Sequence, residues 1–262
     1  MDAAIKIFKI GGSVIEQPDL LASFLEEFAQ LQSHKILVHG GGRSATAMAD
    51  QLGISSKMIE GRRVTDEVML DIVVMVYGGL NKKIVAQLQS RACNAVGLTG
   101  ADLNVMKSRK RPPDPVDYGL VGDIASVNAP ALTNLLDQHI VPVMAPLTHD
   151  GKGQILNTNA DNIAGSLARS LAEYRPVELF YCFEKKGVMH DPDDDKTLIK
   201  TMTPIDFANL KSEGVVVDGM IPKLENAFKT LEAGVNKVYI MHHEEIKSVR
   251  AGVIDGTTLT LE

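Results

Sequence analysis

IKIFKIGGS at Ile5–Ser13 and KILVHGGGR at Lys35–Arg43 share one pattern. Each is a short apolar run, rich in strand-favouring residues, that ends in glycines. Each is followed by a helix-period stretch. After Pro18, which suits a first helical turn, Leu21, Phe24, Leu25 and Phe28 fall on one face. Strand, glycine turn and helix, repeated, make a parallel sheet, because parallel neighbours need a crossover.

The rhythm extends along the chain. Strands are expected at Ala95–Leu98, Val141–Ala145, Glu178–Phe183 and Lys237–Met241. Helices are expected over Asp66–Gly78, from Asn159–Asp161 onward, after the N-cap pair Thr203-Pro204, and from about Pro222. The fold class is therefore α/β: a three-layer αβα sandwich on a central, mostly parallel sheet. Residues 104–123 break the alternation. A basic cluster (Lys107, Arg109, Lys110, Arg111), two prolines and VDYGLVGDI read as a β-hairpin excursion. HDPDDDK at His190–Lys196 lacks the spacing and closing glutamate of an EF-hand, so its four aspartates read as a solvated turn. A boundary near Ala172–Pro176 would divide an N-terminal lobe, 1–174, from a C-terminal lobe, 175–262.

Composition narrows the function. With 262 residues the chain can bury a sizeable core, and 45% apolar against 23% charged residues excludes disorder. A formal charge of -6 argues against electrostatic binding of nucleic acid. No apolar run approaches the ~20 residues of a membrane span, and MDAAIKIFKIGGS shows no signal-peptide pattern. Cys93 and Cys182 lie far apart in apolar segments, which excludes a disulfide framework and a Cys-rich zinc site. The expected compartment is the cytoplasm.

Open parallel sheets bind ligands in the loops beyond their strands' C-terminal ends. The two glycine loops lie there. Glycine lets backbone N–H groups turn inward, and successive ones form an anion-binding nest backed by a helix N-terminus. Two such loops suggest a cradle for phosphate oxygens. The chain has neither a Walker-type GxxxxGK[ST] nor a dinucleotide GxGxxG after a strand. Lys9, at the first strand's end, and Lys223, opening a later helix in DGMIPK, are placed to neutralise transferring phosphoryl oxygens. In NTNAD, either Asn159 or Asp161 can cap the helix, and an acid there can orient both lysines. Arg63 is a candidate carboxylate clamp, with Arg62 competing. His39 reads as a strand-end packing residue. His242 and His243 have no matching ligand set, and both cysteines read as buried apolar residues.

In this order the pieces resemble the amino acid kinase family, specifically the branch that phosphorylates N-acetyl-L-glutamate. The carriers are KIGGS at Lys9, VHGGG at Val38, GRRVTD at Gly61, GGLNKKIV at Gly78, AVGLTGAD at Ala95, YGLVGDI at Tyr118, VPVMAPL at Val141, LNTNADNIAG at Leu156 and DGMIPKLENA at Asp218. GRRVTD with NTNAD narrows the branch. The resemblance implies ATP-dependent phosphorylation of the γ-carboxylate of N-acetyl-L-glutamate, in arginine biosynthesis. It implies that Lys9 and Lys223 stabilise the migrating group and that Asp161 holds both. Gly11, Gly12, Gly41 and Gly42 would offer N–H groups to phosphates, with Gly41 also near the acceptor. Arg63 would grip the substrate α-carboxylate, and Asn157 and Asn159 would complete the pocket. Mg2+ would travel with ATP, so no residue is named as a metal ligand. The N-terminal lobe would carry acylglutamate and the C-terminal lobe the nucleotide.

The chain departs from the family pattern at one segment. Where T/S-D-x-x-G-V is usual, it has Phe183-Glu184-Lys185-Lys186-Gly187-Val188. Arginine-inhibited relatives carry an extra N-terminal helix that builds a hexamer. With the first strand so early, an arginine-insensitive homodimer is expected, with neither nucleic acid nor membrane as partner. N-succinyl-L-glutamate is an alternative acceptor. A different small-acid kinase, or a non-enzymatic sensor of the same fold, are competing readings. GRRVTD with NTNAD argues against the first, and intact Lys9, Asp161 and Lys223 against the second.

Overall fold

A computed structural model describes residues 4–59, 61–191, 193–217 and 220–262. Among these residues, eight strands form the central sheet, in the order Thr201–Met202, Gly256–Leu259, Lys237–His242, Val177–Phe183, Ile5–Ile10, Lys35–His39, Val141–Met144 and Ala95–Leu98. All neighbours are parallel except Lys237–His242 with Gly256–Leu259. The first strand is central. It pairs with Lys35–His39 on one side and Val177–Phe183 on the other, with Lys9 level with Val38 and Tyr181.

Alternation along the strands sends side chains to two faces. Ile5, Ile7, Leu179, Tyr181, Val238 and Ile240 pack under helices Ala160–Ala172 and Met220–Glu232. Phe8, Ile10, Phe180, Cys182, Tyr239 and Met241 pack under helices Pro18–Gln30 and Glu67–Gln89. The Phe8 ring, fully buried, stacks on Phe180 at 4.6 Å and meets Phe28 edge-on at 5.6 Å. Truncating such a ring to alanine costs about 3–5 kcal/mol. Both faces are thus covered, which is the three-layer arrangement the strand–helix alternation predicts.

Helix Glu67–Gln89 runs past the Gly78 at which periodicity predicts its end. Its second half is fixed by burial. Ile84 and Leu88 enter the core, and buried Asn81 donates to the Val143 carbonyl at 2.9 Å. Tertiary contacts therefore override two glycines worth about 1 kcal/mol each. The last long helix begins at Met220, slightly before the expected Pro222, while Asp218 and Gly219 of the DGMIPK motif lie outside the described residues. Thr203 caps helix Pro204–Ser212, as its sequence predicts, and Asp206 completes a capping box.

The excursion is a hairpin of Met106–Lys110 with Gly122–Val127. It grows into a second, four-stranded sheet by adding Leu147–His149 and Ile155–Asn157, two strands too short to be read from the sequence. In the aspartate turn, Asp193 and Asp195 pair with Lys185 and Lys186, and Pro192 lies outside the described residues.

Candidate active site

Lys9 is the penultimate residue of the first strand, and its side chain shares a sheet face with that of Tyr181. Only 8% of Lys9 is exposed, and its Nζ lies 2.8 Å from Asp161 Oδ1. The acid is free to meet it because Asn159 takes the cap. Asn159 Oδ1 accepts the N–H groups of Asp161 (2.8 Å) and Asn162 (3.2 Å). Asp161 is then tethered through its carbonyl, which accepts from Tyr181 Oη at 3.3 Å and Asn226 Nδ2 at 3.2 Å. Burial, reinforced by the Asp161 charge, holds the Tyr181 phenol far above its ordinary pKa, so it stays a neutral donor.

Lys223 stands in the first turn of Met220–Glu232, its Nζ 4.4 Å from the centroid of the Phe183 ring. Burial lowers its pKa, the Asp161 charge opposes that, and the Lys9 charge adds to it. The three charged groups therefore sense one another. Chain separation hides this from local patterns, but the topology brings both helix starts to the C-terminal edge of the sheet.

Helices Gly12–Glu16 and Gly42–Gln51 start directly after the two glycine loops. Gly41 has φ +155, and a Cβ there would sit 2.8 Å from the Tyr77 ring, so the position admits only glycine. Beside it, Arg63 is 6% exposed. Its Nη2 donates to the Gly42 carbonyl and Thr46 Oγ1, both at 2.7 Å, and its Nη1 donates to Ser56 Oγ. Arg63 thus locks the second glycine loop as well as placing a fixed cation. Asn157 Nδ2 donates to Thr65 Oγ1 at 3.0 Å, joining the second sheet to the GRRVTD segment.

Lys9, Gly11, Gly12, Gly41, Gly42, Arg63, Asn157, Asn159 and Asp161 all line one cavity of about 360 Å³. Lys223 is not among the lining residues, and it feels the charges of Asp161 and Lys9. Arg62 also lines the cavity. So do Tyr77 and Thr46, which carry no motif, and Arg111, the end of the basic run. Lys107, Arg109 and Lys110 are exposed, whereas Arg111 turns in, held by a bidentate pair with Asp123 and lying 5.4 Å from the Tyr118 ring centroid. Asn226 carries no local signal, whereas Phe183 opens the segment that departs from the family pattern. His39 is fully buried, with Nδ1 on the Gly40 carbonyl at 2.7 Å and Asn81 Nδ2 at 3.2 Å from Nε2. Burial pulls its pKa down to about 4, so it is a neutral packing residue at pH 7.

Chemically, the cavity offers ammonium, guanidinium and amide donors around one paired acid. Such a donor set suits phosphate and carboxylate oxygens. Among the described residues no three His, Cys, Asp or Glu side chains are grouped to hold a metal.

The sequence profile of the amino acid kinase family matches residues 4–242. The chain belongs to the amino acid kinase family. Among similar members, the acetylglutamate kinase of Phocaeicola vulgatus is 55% identical over 241 residues, covering 92% of this chain and 94% of that protein. The acetylglutamate kinase of Bacteroides thetaiotaomicron is 53% identical, covering 94% and 96%. The amino acid kinase fold is also matched by carbamate kinase from Giardia lamblia bound to AMP-PNP, with TM-score 0.73, 15% identity and all of both chains covered. N-acetylglutamate synthase from Neisseria gonorrhoeae, complexed with coenzyme A and N-acetyl-glutamate, superposes with TM-score 0.85 at 23% identity. This chain spans 60% of that one.

Proposed function

We propose that this amino acid kinase is an acetylglutamate kinase. It transfers the γ-phosphoryl group of ATP to the γ-carboxylate of N-acetyl-L-glutamate, giving ADP and N-acetyl-L-glutamyl 5-phosphate for arginine biosynthesis. The observation that carries the reading is the Lys9–Asp161 pair beside two glycine loops in one cavity, within a chain about 55% identical to enzymes of that name.

Electrostatics dictates the mechanism. Acceptor carboxylate and triphosphate are both anions and repel. The carboxylate is already ionised at pH 7, so no general base is needed. One of its oxygens bonds to the γ-phosphorus as the bond to the β–γ bridging oxygen breaks, and that electron pair leaves on ADP. Lys9 and Lys223 neutralise charge on the migrating group, while Asp161 pairs with Lys9 and its charge also draws Lys223. Gly11, Gly12, Gly41 and Gly42 direct N–H groups at the phosphates, with Gly41 also beside the acceptor. Arg63, preorganised by Gly42 and Thr46, attracts the α-carboxylate. Asn157 and Asn159 complete the acylglutamate pocket. Mg2+ would come with the nucleotide, held by it rather than by protein side chains, and would supply further charge neutralisation. Catalysis is positioning plus charge stabilisation, with no covalent enzyme intermediate.

Acylglutamate belongs to the lobe 1–174, which carries Arg63 and Asn157, and nucleotide to 175–262, which carries Lys223. The enzyme works as a cytoplasmic homodimer. Support for self-association comes from the long helix Glu67–Gln89, which leaves Val68 and Met75 more than half exposed. Sedimentation velocity tests it, and a monomer at micromolar concentration would refute it.

Coupled ADP release with MgATP and N-acetyl-L-glutamate tests the activity, and hydroxylamine trapping of the acyl phosphate identifies the product. Saturable binding without ADP release would replace the enzyme with a sensor. One observation favours a second acceptor, N-succinyl-L-glutamate: Arg111 lines the cavity, and its Nη1 lies outside the pair with Asp123, so it can meet a second acyl carboxylate. A kinetic comparison of the two acylglutamates decides between them.

A further inference from the structure

Phe183 ends the strand Val177–Phe183, and its ring lies within cation–π reach of both site lysines. Lys223 Nζ is 4.4 Å and Lys9 Nζ 5.3 Å from the ring centroid. Among the described residues it is the one ring that meets two cations. We propose that Phe183 is a positioning residue for phosphoryl transfer, its ring fixing the two ammonium groups relative to each other without adding negative charge to the site. The proposal rests on the acetylglutamate kinase reading.

Two like charges brought to one edge of a sheet repel. Asp161, 2.8 Å from Lys9, answers one of them. A second carboxylate could hold the other ammonium, but it would also repel the incoming phosphoryl group. An aromatic face attracts a cation through its quadrupole and carries no net charge. It can therefore orient both ammonium groups without adding a further negative charge beside the phosphate.

The ring is itself held in a rigid frame. Phe183 lies two residues beyond Tyr181 on the same sheet face, with the rings nearly parallel (6°) at 6.2 Å. Tyr181 Oη bonds the Asp161 carbonyl, and Asn226 Nδ2 bonds both that carbonyl and Tyr181 Oη. Asn226 sits one turn after Lys223 on the same helix. Strand, acid and lysine-bearing helix are thus tied around the ring. Burial of Lys223 strengthens the attraction, because a desolvated cation gains more from a π face than an exposed one.

The test uses full-length Phe183→Leu and Phe183→Tyr with MgATP and N-acetyl-L-glutamate. Leucine keeps an apolar side chain and removes the π face, whereas tyrosine keeps both. The Leu variant is expected to lose about tenfold or more in kcat, with both KM values within about threefold of wild type. The Tyr variant is expected to stay within about threefold in kcat. In parallel, NMR without substrates should show ring-current-shifted ε-methylene signals for Lys9 and Lys223 in wild type and Phe183→Tyr, lost in Phe183→Leu. Wild-type kcat in the Leu variant, an equal loss in both variants, or unshifted lysine signals in wild type would each overturn the proposal. Should the Leu variant fail to fold, the wild-type and Tyr spectra decide. An inactive wild-type protein would remove the kinase reading, while the substrate-free spectra would still report on the ring and its lysines.

Discussion

Replacing Gly41 by alanine tests how the glycine loop is built. A Cβ at that position would stand 2.8 Å and 2.9 Å from two Tyr77 ring carbons and 3.0 Å from Leu80 Cδ1. Tyr77 is only 4% exposed and packs in the cluster of Ala45, Ala49 and Ile72, so the ring has little room to swing away. Such overpacking costs about 1–3 kcal/mol. Forcing a side chain into the positive-φ backbone adds roughly 1–3 kcal/mol. Together about 2–6 kcal/mol must be absorbed, either globally or by a shift of the loop. At roughly 2–4 °C per kcal/mol for a chain of this size, a global response lowers Tm by at least about 4 °C. A loop shift instead misdirects the N–H groups, and loss of one such donor is worth about a hundredfold in kcat. Gly42→Ala is the control, because its Cβ meets only Arg63 Nη2, at 4.0 Å, and its φ is not positive. Calorimetry and coupled ADP release on both variants are the assays. If Gly41→Ala matched Gly42→Ala in both Tm and kcat/KM, this account of the loop would be wrong.

Other consequences are equally direct. Lys9→Ala and Lys223→Ala should each reduce kcat by about a hundredfold or more, and near-normal turnover in both would contradict their assigned roles. Arg63→Lys loses the planar fork that serves Gly42, Thr46 and Ser56, so KM for acylglutamate should rise about tenfold or more, with a smaller change in KM for ATP. His39 titrates near 6.5 when unfolded and at about 4 when folded, so protons favour the unfolded chain. Its contribution, about 3 kcal/mol, is complete above pH 6.5 and is lost as pH falls toward 4. His39→Gln should flatten the urea-denaturation stability between those pH values, and an unchanged slope would refute the assignment.

Much of the architecture was legible because it is written locally. The first two strands, their glycine turns, the Pro18 helix start and the Thr203 cap each lie within about ten residues of sequence. Lys9, Gly41, Arg63 and Asp161 stand in short motifs that the fold brings to one cavity. The distant geometry was not legible. Helix Glu67–Gln89 outlasts its glycines because Asn81 meets His39 and Val143 across the sheet. Arg111 turns inward because Asp123, a hairpin partner, holds it. Phe183 and Asn226 gain meaning only once strand order sets them beside Lys9 and Lys223.

The central position of the first strand constrains the order of assembly on the ribosome. One side of Ile5–Ile10 waits for Val177–Phe183, some 170 residues later, before its backbone amides find their partners. At roughly 5–20 residues per second that interval is on the order of ten to thirty seconds. Throughout it, an apolar strand carrying Phe8 and Ile10 presents an open edge. Premature termination before Val177 would therefore release a fragment whose first strand keeps one apolar edge unpaired.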